Sequence, residues 1–219
     1  METHITNQPA RARTDLGAGD PSSADGGPVD ARAVRLAGLG LTTGALCWAA
    51  ATLVLGSEGG KGAGVRIVDL TGLLFQLGVF CLLWVQMRTR AIGTSRAARI
   101  ALRVEAVFLG LAAVWSLLHG VLPRSVGDDA WLMTLDLFWP LSMLGMAIIG
   151  VKLAFAARWR GALRWWPLIA ESWALVAVPS YAMFGAQVSG WVGGTHLIVG
   201  YAALGVLLAR NPHLTSPRQ

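Results

Sequence analysis

Charge is scarce in this sequence. Only 14% of its 219 residues are Asp, Glu, Lys or Arg, where an ordinary soluble domain carries about 25%. A chain with 54% apolar residues and so little charge cannot present a wholly aqueous surface, which argues against a free soluble domain. Cysteine is scarcer still. Cys47 and Cys81 both fall inside apolar runs, so a disulfide framework or a cysteine-built metal site is not expected, and both read as small apolar core residues. Catalytic signatures are missing too. The sequence holds no Walker A loop, Rossmann glycine pattern, HExxH or Asp-rich alcohol-phosphotransferase motif. Asn7-Gln-Pro-Ala10 lies in the N-terminal tail rather than in an aquaporin-like half-helix, and Gly93-Thr-Ser95 lies in a loop rather than in the setting of a rhomboid serine. No enzyme class and no cofactor follow from motifs.

Long apolar runs are present in their place. Six are long enough to span a bilayer, at about 36–56, 65–87, 100–122, 131–153, 163–184 and 191–209. The expectation is an all-α, polytopic six-helix transmembrane bundle over 35–210. Residues 1–34, rich in Pro, Gly, Ser and Asp without apolar periodicity, read as a disordered cytoplasmic tail rather than a signal peptide. Residues 211–219 form a short second tail.

The net charge of +6 points to membrane orientation rather than to nucleic acid, because the basic residues cluster between the apolar runs. With the N-terminus inside, the inner segments hold Arg11, Arg13, Arg32, Arg35, Arg88, Arg90, Arg96, Arg99, Arg103, Lys152, Arg158, Arg160, Arg164, Arg210 and Arg218. The outer segments hold only Lys61, Arg66 and Arg124. That asymmetry sets both termini in the cytoplasm, which requires an even number of crossings. Trp131 and Trp191 then mark the outer interface, and Trp84, Trp159, Trp165 and Trp166 the inner one. Arginine outnumbers lysine sixteen to two, a bias of high-GC bacterial genomes, so the expected location is a bacterial cytoplasmic (inner) membrane.

A repeat runs through the three inward-going helices: Asp69-Leu70…Leu77-Gly78, Asp136-Leu137…Leu144-Gly145 and His196-Leu197…Leu204-Gly205. Each pairs a titratable residue with a glycine nine positions later, about 180° around the helix, where a neighbouring helix can approach closely. Helical-hairpin repeats would produce this pattern. Gly40-x-x-x-Gly44 adds a small-residue motif that could serve a homodimer.

Ionisable groups inside apolar spans cost at least about 2.5–3.5 kcal/mol each, so they face the bundle interior or a wet cavity. Asp69, His119, Asp136 and His196 fall at roughly 5–8 Å below the outer boundary, forming an expected outer polar layer and a binding candidate. Glu105 and Glu171 fall at similar depth below the inner boundary. On the third helix Glu105, Ala112, Ser116 and His119 share one face, a polar stripe across most of the bilayer, and Gln76 shares a face with Asp69. Pro140 follows Asp136 by four, so the Asp136 carbonyl loses its helical partner.

Simpler roles exist for each residue. Asp69 follows Arg66 by three and could form an interfacial ion pair, and Glu105 and Glu171 could reach the basic inner boundary. Three functional readings remain open. One is a non-catalytic accessory or sensory membrane protein. Another is a small proton- or cation-linked permease using the intramembrane carboxylates. The third is a metal or haem protein, with His119, His196, Asp69 and Asp136 as candidate ligands. The lipid bilayer is the one partner the composition names.

Overall fold

A computed structural model describes residues 29–123 and 129–216. Most of the tail (1–28), Arg124 and Arg218 lie outside the described residues. Among those described, every regular element is helical. Helix α1 (Ala31–Leu55) begins where the Asp30 carboxylate accepts the Arg32 backbone N–H at 2.9 Å, a side-chain cap at its first turn. Residues 31–34, expected in the tail, are therefore helical. It is followed by α2 (Ala63–Arg88) and by α3 (Arg96–Val121), whose first turn the Ser95 hydroxyl caps. Then come short α4 (Ala130–Asp136), α5 (Phe138–Ala156), α6 (Ala162–Glu171), α7 (Trp173–Leu197), a π turn (Ile198–Ala202) and α8 (Ala203–Arg210).

Among the described residues, five stretches are long and apolar enough to cross a membrane, and they suggest a multi-pass membrane protein. The last, Ala162–Arg210, covers 49 residues. As one straight helix it would measure about 73 Å, more than twice a hydrocarbon core. It is not straight. Gly185 has φ 79° and ψ 179°, and beyond it the chain folds back along itself. The Ser189 hydroxyl reaches the Ala177 carbonyl at 3.0 Å, and the Trp173 indole N–H reaches the Gly193 carbonyl at 3.0 Å. A six-residue connection (185–190) was expected here; a single glycine makes the turn instead.

The helices close into a ring in the order α1, α2, α3, α5, α6, and the α7–α8 segment, which returns to α1. Helix α1 has the most crowded position, and glycine makes its contacts short. A methyl group on Gly44 would collide with the Leu74 carbonyl on α2, and one on Gly38 would lie 2.5 Å from the Gly205 carbonyl on α8. Gly44 is thus used within the chain, against α2. Gly78, Gly145 and Gly205 of the repeat all press on a neighbouring helix, at Leu41, Glu105 and Gly38–Thr42 respectively. The repeat's leucines do not behave alike: Leu197 and Leu204 are buried while Leu70, Leu77, Leu137 and Leu144 are exposed.

Each end of the bundle is tied off. At one end the buried Trp159 donates to the Thr89 hydroxyl at 2.9 Å, and the Arg160 backbone N–H and side chain reach Leu214 and His213 carbonyls at 2.9 and 2.8 Å. Trp159 was expected at the lipid interface; burial under these loops overrides that preference. The 211–216 stretch was expected to be a tail, yet it forms a 3₁₀ turn (Pro212–Thr215) with Pro212 and Thr215 buried. At the other end Ser57 bonds the Ala186 carbonyl through both its N–H and its hydroxyl, each at 3.1 Å, and Tyr181 donates to Glu58. Both cysteines are free and half-buried.

Candidate functional site

At the Glu58–Tyr181 end lies an open cavity of about 500 Å³. Its walls come from α1, α2, α3, α7 and the α4–α5 junction. Three of the four residues of the expected outer layer gather at its edge. The His119 Nδ1 lies 2.8 Å from the Asp69 Oδ2, and the indole of Trp115 stacks on the His119 ring at 4.9 Å. Asp136 lies within electrostatic range of both Asp69 and His119. The local cause is readable. Pro140 has no N–H for the Asp136 carbonyl, and α4 ends at Asp136 while α5 begins at Phe138. That break leaves Asp136 at a helix end, lining the cavity.

His196 does not join them. The second leg starts just after Gly185, so His196 sits about 15 Å along it, far deeper than the sequence placed it. There its Nε2 lies 3.2 Å from the Ser172 hydroxyl, and its Nδ1 is buried without a partner among the described residues. Among the described residues no three His, Cys, Asp or Glu side chains assemble in a way that would hold a metal ion. The expected four-residue layer is therefore not a ligand set, and the two histidines occupy unrelated surroundings.

The inner acids also sit deeper than expected. Each lies nine residues along its helix, about 13 Å from the helix start, and neither touches the basic inner boundary. Glu105, 2% exposed, accepts the Ser142 hydroxyl at 2.6 Å, with its other oxygen packed on Gly145. Glu171, 1% exposed, accepts the Tyr201 hydroxyl at 2.5 Å, and its second oxygen has no partner among the described residues. Ser116, Ala112 and Glu105 all lie on the buried face of α3. The hydroxyl partners of both acids, Ser142 and Tyr201, line a void of about 10 Å³ together with Gln76 and others, roughly the space of one water molecule. The Gln76 amide is buried with neither its oxygen nor its nitrogen bonded among the described residues. Trp139 stands in the walls of both spaces.

Sequence reasoning missed the aromatic half of this cavity. Trp48, Trp139 and Trp173 pack against one another with centroids 5.2–5.8 Å apart, and all three line it. A signal was available. Tryptophan favours the membrane interface, and these three lie seven or more residues inside the apolar stretches Ala31–Leu55, Ala130–Ala156 and Ala162–Arg210. Tyr201, the partner of Glu171, was also missed, because nothing in the sequence marks a hydroxyl 30 residues away as a partner.

No family model, curated protein or solved structure matches the chain. The class of protein therefore rests on its own helices, and these suggest a multi-pass membrane protein.

Proposed function

We propose that this chain crosses the inner membrane of a bacterium six times, with both ends in the cytoplasm, and works as a small proton- or cation-linked permease. The six crossings are supported by the fold-back at Gly185, which divides a 49-residue stretch into two legs, and by the arginine asymmetry between the two ends of the bundle. The permease reading is carried by one observation: an open cavity edged by Asp69, His119 and Asp136 stands above two buried carboxyl groups, with Trp139 in the wall of both spaces.

Interrupted helices at the level of the polar residues add support, since carriers commonly build their sites from broken helices. Here α4 and α5 part at Asp136, α6 and α7 part at Ser172, and a π turn follows His196. π turns recur at functional sites. Proton passage would use Glu105 and Glu171, each already bonded to a hydroxyl on another helix.

Reconstitution into vesicles containing a pH-sensitive dye tests the reading. An imposed membrane potential should drive proton entry, and Glu105→Gln should lower its rate at least about tenfold. Vesicles as tight to protons as protein-free ones would remove the permease reading. The accessory or sensory reading would then take its place, favoured by how little space, about 10 Å³, lies beneath Trp139.

A further inference from the structure

We propose that the open cavity is a binding site for a small organic ammonium ion, held against its tryptophan walls and neutralised by Asp136. The proposal rests on the reading of this cavity as the ligand site and names the chemical class that it takes.

Charge comes first. Among the described residues, the ionisable ones lining the cavity are Glu58, Asp69, Asp136 and Tyr181, with His119 paired to Asp69 at the edge and no lysine or arginine on the walls. A site with that balance selects cations over anions and over zwitterions whose carboxylate must also be buried. Asp69 already bonds His119, and Glu58 accepts from Tyr181 at the mouth. Among the described residues the Asp136 side chain accepts no hydrogen bond, and it has Asp69 and His119 within electrostatic range, which leaves it the carboxylate best placed to answer an arriving charge.

The walls decide which cation. A metal ion or a small hydrated inorganic cation needs several oxygen or nitrogen ligands to replace its water. Among the described residues no three His, Cys, Asp or Glu side chains gather to supply them. The cavity offers ring surface instead. Trp48 meets Trp139 at 84° and Trp173 at 38°, and Trp139 meets Trp173 at 86°, so the cluster presents both faces and edges of indole rings. An alkylated ammonium ion is weakly hydrated and is attracted to the face of an indole ring, more strongly the more the site is desolvated. A volume of about 500 Å³ suits a small molecule of this kind.

An uncharged apolar ligand would leave Asp136, which lines the cavity, without a counter-charge.

The test is equilibrium binding by calorimetry on the full-length, detergent-purified chain. The two probes are choline and 3,3-dimethylbutan-1-ol, its neutral counterpart with carbon in place of nitrogen. Choline should bind saturably, and the neutral compound at least about tenfold more weakly. Asp136→Asn should weaken choline at least about tenfold and leave the neutral compound unchanged. Trp139→Leu should weaken choline as well, while Asp136→Glu keeps binding and guards against misfolding as the cause. Equal affinity for the two probes, binding of neither, or an Asp136→Asn variant that holds choline normally would overturn the proposal. Proton movement in vesicles is a separate readout. A chain that binds choline but moves no protons keeps this inference and loses the permease reading; one that moves protons and ignores choline does the reverse.

Discussion

At the scale of single residues, contact with the backbone of a neighbouring helix separates the glycines. Gly44 faces the Leu74 carbonyl and the Phe75 α-carbon, which belong to a helix and cannot swing aside, whereas a methyl group on Gly110 would meet only the Phe80 ring at 3.8 Å. Gly44→Ala should therefore push α1 and α2 apart and cost about 1–3 kcal/mol, as overpacking does. Gly110→Ala should be neutral or slightly stabilising through helix propensity. Thermal unfolding of the two variants in detergent distinguishes them, and equal melting points would show that α1 and α2 do not meet at Gly44. Tyr201→Phe belongs to the same scale. It leaves the buried Glu171 carboxyl without its hydroxyl donor, and a lost partner of that kind costs about 1–3 kcal/mol. A variant as stable as the parent would mean that water reaches Glu171. The sequence flagged Glu171 because a carboxylic acid inside an apolar run is conspicuous, but it could not flag Tyr201. A buried aromatic residue gives no sign of which carboxyl its hydroxyl will find.

Among the elements, backbone exceptions decide what hydropathy cannot. The apolar runs predicted the first four crossing stretches to within a few residues at each boundary, because length and apolarity are additive along a chain. The Asp136 break was equally legible from Pro140, whose effect is local. The fold-back was expected between 184 and 191, but its place at Gly185 was not legible. Hydropathy averages across Gly185, and the expected connection at 185–190 contained no proline or charge to mark the turn. That displaced the start of the inward leg, which in turn misplaced His196 by several residues of depth and made a four-member layer out of three. Gly185 adopts a conformation essentially closed to residues with a side chain, costing about 1–3 kcal/mol when forced. Gly185→Ala should accordingly lower stability by that amount, although open space surrounds the position. An unaffected melting point would mean that the two legs join through some other backbone geometry.

For the whole molecule, the two tied ends and the fold-back make a prediction about sidedness. Thr89, Trp159, Arg160 and the 213–214 backbone meet at one end, while Ser57, Glu58, Tyr181 and Ala186 meet at the other. The arginine-rich loops belong to the first of these, which under the proposed topology faces the cytoplasm. Six crossings then put Lys61 and Gln187 outside and Thr94 and Ser216 inside, all four on exposed positions. Five crossings would carry Ala162–Arg210 through once, hold Gln187 within the bilayer and deliver Ser216 to the outer face. A background lacking Cys47 and Cys81, which are half-buried, separates the two. Single cysteines are introduced as Lys61→Cys, Gln187→Cys, Thr94→Cys and Ser216→Cys, and intact cells are treated with a membrane-impermeant maleimide. The expected outcome is labelling at 61 and 187 on intact cells, and at 94 and 216 only after permeabilisation. Labelling of Ser216→Cys on intact cells, with Gln187→Cys silent, would establish five crossings and place the two termini on opposite sides. The cavity would still face outward in that case, because Lys61 reports the end at which Glu58 and Tyr181 meet. The arginine asymmetry would lose its last segment, and with it the argument that the C-terminal turn belongs to the cytoplasmic end.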